Sequence, residues 1–162
     1  MTFTYPSAQF PGEPGVTLRA GDGWVAVEAP GTRLAIARES GAGQFRPNVA
    51  VIVARHSAGY PAEEVMVALE EVARGLEDAR LETPFDVTVD GRPFVGRVLV
   101  YRHPQAGTIA ELHMATSVES AGVTDVVQLV GTCAGDRVKE DLPLLRDVLS
   151  SVRIEPAPEP SA

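Results

Sequence analysis

The sequence predicts an α+β fold in which a largely antiparallel β-sheet of about six to seven strands packs against two amphipathic helices. Short strand-like runs separated by turn residues make up most of the chain, whose 162 residues include 15 Gly and 13 Pro. Two segments instead repeat apolar residues at helical spacing. Strands joined by tight turns pair antiparallel, which predicts an antiparallel sheet. The two amphipathic helices must then bury their apolar sides against that sheet.

The first predicted strands are a hairpin and a buried strand that follows it. Trp24 to Glu28 and Arg33 to Arg38 flank the turn signal Pro30-Gly31, which predicts a hairpin. Asn48 to Arg55 is apolar at successive positions and rich in β-branched residues. That pattern is typical of a central strand covered on both faces.

The clearest helix is predicted from Pro61 to Ala79. Pro61 suits the first helical position, and Glu63 and Glu64 follow in the first turn, where the helix dipole favours negative charge. The predicted buried side consists of apolar residues at helical spacing, namely Val65, Leu69, Val72 and Leu76. The helix is therefore expected to lie with this side against the sheet.

Four further strands are predicted in succession after the helix. Phe85 to Val89 and Arg92 to Arg102 are joined by Asp90-Gly91, a strong signal for a two-residue hairpin. Thr108 to Val118 and Thr124 to Cys133 continue the antiparallel meander through two more turns. Apolar and polar residues alternate along Thr108 to Val118, which predicts one side facing the core and one facing outward.

A second helix and two tails complete the predicted organisation. Asp136 to Val152 has helical apolar spacing, but Pro143 is tolerated only in a first turn, so the helix is expected to begin near Asp141. Residues 1–15 and 155–162 are rich in Pro and small residues and are predicted to be flexible tails. Residues 16–154 then form a single domain.

Charge and cysteine content exclude several classes of function. The 14 Lys and Arg against 22 Asp and Glu leave a net charge of −8, which argues against nucleic acid or an anionic membrane as partner. It favours a protein partner with a basic surface. The single cysteine, Cys133, excludes a disulfide framework and a cysteine-rich zinc site. The sequence shows no signal peptide, membrane-spanning run or lipid-anchor cysteine, so a cytoplasmic location is expected.

Several short motifs resemble those of a known superfamily. Trp24 in the first hairpin, followed by Phe45-Arg46-Pro47-Asn48 and Val49-Ala50-Val51, resembles the F-x-P-N-V-x-V start of the Mog1/PsbP-like domains, and especially the actinobacterial LpqN-type proteins and their soluble relatives. The helix, the Gly91 hairpin and the ending Leu149 to Ile154 also fall where that pattern places them, so the resemblance spans the predicted domain. It implies an α/β/α sandwich that acts as an adaptor for a GTPase, a photosystem or secretion and envelope machinery. It implies no shared catalytic centre.

No recognisable catalytic motif is present in the sequence. It contains no G-x-S-x-G elbow, H-E-x-x-H pair, P-loop or G-x-G-x-x-G before a helix. Gly41-Ala42-Gly43 leads into a strand rather than a helix, so a surface loop is the favoured interpretation and a phosphate cradle is not. The sequence therefore predicts a protein that is not an enzyme and holds no cofactor or metal.

Two places in the sequence nevertheless carry side chains that could take part in catalysis or metal binding. Glu111 and His113 are expected on one sheet face, where they could act as a base or, with a third ligand, hold a metal. The favoured alternative is two polar residues on a solvated face. Cys133 ends a strand just before the second helix, whose dipole could activate the thiol. A small buried hydrophobic residue is the favoured interpretation of this cysteine.

The outer face of the meander is the candidate recognition surface. If the strands pair as their turns indicate, six side chains share one side of the sheet: Arg97, Tyr101, Glu111, His113, Gln128 and Thr132. Tyr and Arg are frequent at binding hot spots, which favours partner binding by this surface. A slip of one residue in register would turn these side chains inward. Trp24, the only tryptophan, is expected at the core or its edge rather than in an interface.

Two functional hypotheses follow from these observations. The first is a non-catalytic, cytoplasmic protein-binding domain of the adaptor or chaperone-like kind. The alternative is a small-molecule carrier or hydrolase that uses a pocket between sheet and helices, with His113, Glu111 or Cys133 in it.

Overall fold

The structure is a computed structural model that describes residues 4–157. Strands and helices follow one another along this part of the chain: β1 (Gly15–Thr17), β2 (Trp24–Ala26), β3 (Leu34–Arg38), β4 (Asn48–Ser57), α1 (Glu63–Arg74), β5 (Glu77–Leu81), β6 (Phe85–Val89), β7 (Arg92–His103), β8 (Gly107–Ser120), β9 (Val123–Ala134), α2 (Val138–Leu149) and β10 (Arg153–Glu155).

An eight-stranded antiparallel sheet forms the middle layer of the domain. Its strand order is β2-β3-β4-β9-β8-β7-β5, and β6 also pairs with β7. The Asp90-Gly91 turn joins β6 to β7 with φ angles of 50° and 74°, the left-handed conformation that a two-residue hairpin of this kind requires. The predicted α+β fold, with its hairpins and meander, is therefore confirmed. Three short strands were not predicted, namely β1, β5 and β10.

Helix α2 packs on one face of the sheet and closes the main core. Leu145, Val148 and Leu149 are buried there against residues of β4, β8 and β9. A Cβ atom at Gly131 would lie 3.2 Å from the Leu145 Cβ, so the absence of a side chain lets α2 approach β9 closely. Trp24 is half-buried at the edge of this core, as expected.

Helix α1 lies on the opposite face, over β5 and β7, so the three layers form an α/β/α sandwich. It ends at Arg74, before Gly75, and the predicted extension to Ala79 is wrong because Glu77–Leu81 pairs with β7 instead. Its buried residues are Met66 and Leu69, while Val72 is 54% exposed. The predicted buried side is therefore partly wrong.

The central strand β4 is covered on one face only. Val49, Val51 and Val53 are buried on the α2 side, whereas Ala50 and Ile52 on the α1 side remain partly exposed. The prediction of burial on both faces is wrong because α1 packs on β5 and β7, which lie at one edge of the sheet, separated from β4 by two strands. An apolar strand surface is consequently left half-exposed.

The second helix also differs from its prediction. A single 3-10 turn over Gly135–Arg137 leads into α2, which begins at Val138 rather than near Asp141. Pro143 therefore lies inside the helix. Asp141 is buried and accepts a hydrogen bond from the Arg137 side chain, Nε to Oδ2, at 3.1 Å. This ion pair supports the helix start that the proline alone would disfavour.

The segments that flank the domain are only partly described. Residues 1–3 and 158–162 of the predicted tails lie outside the described residues. Arg55 forms a two-pronged ion pair with the fully buried Asp125, and its guanidinium also donates to the carbonyl oxygens of Pro11 and Gly12. Strand β1 pairs with β10. The flexibility of the tails and the domain limits at 16 and 154 stay predictions.

Candidate partner-binding face

The register of the sheet brings the six predicted surface residues to its α1 side. Arg97 on β7 lies directly across from His113 on β8, and Glu111 lies across from Thr132 on β9. Tyr101 and Gln128 follow at even spacing on β7 and β9, so their side chains point to the same face. The sheet is thus in the register that the turns predicted, while the role of these residues in binding stays a prediction.

Four of the six side chains form one hydrogen-bonded chain. The Tyr101 hydroxyl donates to Glu111 Oε1 at 3.0 Å, and His113 Nε2 lies 2.8 Å from Glu111 Oε2. Gln128 Nε2 lies 3.1 Å from His113 Nδ1. A neutral His113 with its hydrogen on Nε2 donates to the carboxylate and accepts from the Gln128 amide. We call these four side chains the polar network.

The polar network favours an ionised Glu111 and a protonated Tyr101. Burial raises the pKa of Glu111, but the hydrogen bond and electrostatic attraction of the His113 ring and the hydrogen bond of Tyr101 together lower that pKa below 4.5. Burial and the Glu111 carboxylate raise the pKa of Tyr101 to about 12. Both ring nitrogens of His113 are engaged, which disfavours its use as a general base. The two residues are polar residues of a sheet face, as favoured, but the expectation that this face is solvated is wrong for His113, which is 6% exposed because its neighbours on the α1 side cover it.

Arg97 has a different role from the polar network. Its Nη1 lies 2.7 Å from Glu70 Oε1 on α1, and its Nε donates to the Glu82 carbonyl oxygen at 2.8 Å. Its side chain is only 14% exposed. Arg97 therefore fastens α1 to the sheet, and little of it is available to a partner.

The part of this face that α1 leaves open is half-exposed, and its side chains on β3 and β4 are apolar. Across the strands, Ala35 on β3 pairs with Ala50 on β4, Ala50 with Val130 on β9, and Val130 with His113. We define the open sheet face as the half-exposed side chains of this region: Ala35, Ala50, Ile52, Tyr101, Glu111, Gln128, Val130 and Thr132. Sequence reasoning missed its apolar members because it expected the β4 strand to be covered.

Cys133 lies on the other side of the sheet. Its side chain is fully buried in the core beneath α2, while Glu111 and His113 face α1. Burial and the nearby Asp141 carboxylate raise the pKa of the thiol to about 11, which disfavours the reactive thiolate. No single pocket can therefore present all three groups of the small-molecule hypothesis. Within residues 4–157, no three His, Cys, Asp or Glu side chains are grouped so as to hold a metal ion.

Comparisons with known proteins identify solved structures that share this architecture. No protein-family model matches the chain, and no curated protein sequence matches it. Among solved structures, LpqN of Mycobacterium tuberculosis, a protein involved in cell envelope biogenesis, superposes with a TM-score of 0.72 at 15% identity, over 90% of this chain and 86% of LpqN. The fold is Mog1/PsbP-like.

Two further structures share the Mog1/PsbP-like fold. Cyanobacterial PsbP of Synechocystis sp. superposes with a TM-score of 0.51 at 17% identity, over 95% of this chain and 98% of its own. The Ran-binding protein Mog1p of Saccharomyces cerevisiae superposes with a TM-score of 0.53 at 9% identity, over 85% of this chain and 89% of Mog1p. These likenesses confirm the predicted fold. In the described part of the chain, neither helix is long and apolar enough to cross a membrane.

The negative charge of this Mog1/PsbP-like chain is concentrated in one segment. Residues 63–90 hold two arginines against nine carboxylates, so 2 − 9 leaves −7 of the chain's −8. All nine acidic side chains are exposed along α1 and the adjoining β5 and β6: Glu63, Glu64, Glu70, Glu71, Glu77, Asp78, Glu82, Asp86 and Asp90. Sequence reasoning used only the total charge, although counting by segment reveals this asymmetry directly.

Proposed function

We propose that the chain is a non-catalytic protein-binding domain, of the adaptor or chaperone-like kind, whose partner docks on the open sheet face. The observation that supports this most is the half-exposed apolar surface of β4 and β9, where Ala50, Ile52 and Val130 lie side by side. Exposed contiguous apolar patches with polar borders commonly mark protein interaction sites. A partner would complete the burial that α1 leaves unfinished.

The polar network supports the same site. Tyr101 and Gln128 are already held by Glu111 and His113, so a partner meets side chains that lose little further freedom on binding. Polar groups beside an apolar centre give an interface its orientation and specificity. The network thus serves recognition in this proposal, and no chemical step is assigned to it.

The charge asymmetry indicates the class of partner. An acidic segment beside the open sheet face attracts a protein with a basic surface and speeds its approach. Binding should therefore weaken as salt rises.

We further propose a cytoplasmic location, with a connection to secretion or envelope machinery. The description of LpqN as a protein of cell envelope biogenesis supports that connection, and the description of Mog1p as Ran-binding supports a binding role.

The test is affinity capture from a lysate of the source organism with matched variants. Thr132→Arg places a bulky side chain on the open sheet face, where Glu111 lies opposite and can pair with the new charge. Ser150→Arg adds the same residue at an exposed position after α2, on the other side of the molecule. A partner retained by the wild type and by Ser150→Arg but lost from Thr132→Arg supports the proposal. Equal retention by both variants would show that the partner binds elsewhere.

A further inference from the structure

A cleft of about 510 Å³ opens at the N-terminal end of α1, on the α1 side of the sheet. It lies between the loop that precedes α1 and the strands β6, β7 and β8. Ala62, Val95 and Ala115 contribute apolar surface to it, and they belong to the small core beneath α1. Tyr60 and Pro93 add further apolar lining. The cleft is therefore large enough for an apolar side chain together with part of a backbone.

The charged side chains that line this cleft are acidic, and one cation lies near its wall, because Arg92 Nη1 is 3.5 Å from the carbonyl oxygen of Ser117. Among the described residues that line it, Glu63, Asp86 and Glu119 are acidic and none is a Lys, Arg or His. They come from α1, β6 and β8, so they surround the opening from three elements. All three are exposed. A ligand that enters the cleft thus meets carboxylates on each of these sides.

The walls of the cleft are held in place by hydrogen bonds. The Thr124 hydroxyl accepts from the backbone N–H groups of Gly59 and Tyr60, at 2.9 and 3.3 Å, and donates to Glu119 Oε1 at 2.6 Å. Ser117 Oγ donates to the Tyr60 carbonyl oxygen at 2.9 Å. The Tyr60 ring is stacked on that of His56, with centroids 3.8 Å apart. The loop before α1 therefore needs little ordering when a ligand binds.

The helix N-terminus at the cleft does not make it a site for anions. The macrodipole of α1 is equivalent to about half a positive charge at this end. Glu63 and Glu64 in its first turn carry a full negative charge each, and Asp86 and Glu119 add two more nearby. The four carboxylates outweigh the dipole and the one positive charge of Arg92 together, so the potential at the opening favours a cation.

We propose that this cleft, named here the acidic cleft, binds an extended peptide segment of a partner protein that carries an apolar residue flanked by Lys or Arg. The apolar side chain enters between Tyr60 and Val95, and the flanking cations face Glu63, Asp86 and Glu119. Apolar lining and acidic rim together require both chemical features in one ligand. The proposal rests on the proposed protein-binding function and specifies a second contact, separate from the open sheet face.

The test uses the purified chain and fluorescein-labelled synthetic peptides, read by fluorescence anisotropy. The probe is a short peptide with a central Leu between Lys residues, and two control peptides carry Ser for the Leu or Glu for each Lys. Only the first is expected to bind in a saturable, salt-sensitive way. Equal binding of the Ser peptide would overturn the apolar part of the proposal, and binding of the Glu peptide would overturn the charge assignment.

Matched protein variants separate the cleft from general charge attraction. The triple variant E63Q/D86N/E119Q and the control E28Q/E39Q/D147N each remove three negative charges, the control from exposed positions outside the cleft. Because the cleft variant loses three close charge pairs with the probe, it is expected to bind the probe about tenfold more weakly, and the control less than threefold. Equal weakening by both variants would overturn the cleft as the site.

A second pair of variants tests shape rather than charge. Thr88→Trp fills the cleft from an exposed position on its wall, and Thr83→Trp places the same ring on the nearby loop outside it. Loss of probe binding is expected for the first variant only. The experiment needs no natural partner, so a failed proposal here leaves the test of the open sheet face by Thr132→Arg unaffected, and the two failures are distinguishable.

Discussion

Replacing Glu111 by alanine tests whether the polar network stabilises the folded protein. Glu111 accepts hydrogen bonds from Tyr101 at 3.0 Å and from His113 at 2.8 Å, and its side chain is 20% exposed. Hydrogen bonds to a charged group contribute about 1.5–3 kcal/mol each, and partial exposure reduces that value. His113 is 6% exposed, so its Nε2–H would lose its partner with little access to water. We expect Glu111→Ala to lower the free energy of unfolding by about 2–4 kcal/mol.

Glu111→Gln isolates the charge from the hydrogen bonds. The amide keeps one acceptor and gains a donor, which a tautomer change of His113 can match if the Gln128 amide also turns to present its oxygen to Nδ1, so the expected loss at pH 7 is only about 1 kcal/mol. The folded-state pKa of Glu111 lies below its ordinary value of 4.5. Its ionised form therefore stabilises the fold above the unfolded pKa, and this contribution is lost as the pH falls through the folded pKa. The difference between wild type and Glu111→Gln should shrink over that range.

Urea denaturation followed by circular dichroism measures both effects. Unfolding is recorded for the wild type, the two Glu111 variants and the exposed control Glu28→Ala at pH 7 and at several pH values below 5. The control should stay within about 0.5 kcal/mol of the wild type. A loss below about 0.5 kcal/mol for Glu111→Ala, or a Glu111→Gln difference that does not change with pH, would refute the structural reasoning about the network.

Two further predictions concern packing. A Cβ atom at Gly96 would lie 2.3 Å from the tip of the Phe85 ring, so Gly96→Ala should cost about 1–3 kcal/mol in urea denaturation, while Gly21→Ala, where a Cβ meets nothing within 4 Å, should change little. Similar stabilities of the two variants would show that the Phe85 ring does not need the space above Gly96. The buried Cys133, whose thiol pKa is raised to about 11, should resist a disulfide reagent at pH 8 until urea unfolds the chain. Labelling of the native protein at the rate of a free thiol would contradict its burial.

Local sequence predicted those parts of the fold that local patterns determine. The Asp90-Gly91 turn and the alternation along β8 fix the pairing of β6, β7 and β8, and with it the face shared by Glu111 and His113. Both depend on a turn conformation and a period of two, which neighbouring residues specify. The register of the candidate site was accessible from sequence for this reason.

The remaining parts depend on contacts between distant segments. Glu77–Leu81 continues a helical pattern locally and becomes a strand only by pairing with β7. Strands β1 and β10 are three residues each and lie near opposite ends of the described chain. Each is too short to show the alternation of apolar and polar residues by which a strand is predicted. The apolar run of β4 is the same whether a helix covers one face or both. Only the position of α1 over β5 and β7 reveals that Ala50 and Ile52 are half-exposed.

The central claim is that the open sheet face contacts a protein partner, and site-specific photo-crosslinking tests it most directly. A photoreactive amino acid is placed at Thr132 and, in a separate control, at exposed Ser150, and each protein is irradiated in a lysate of the source organism. The account predicts one discrete protein adduct from position 132, reduced as salt rises and absent from position 150. An adduct from position 150 alone, or the same adduct from both positions, would contradict the claim.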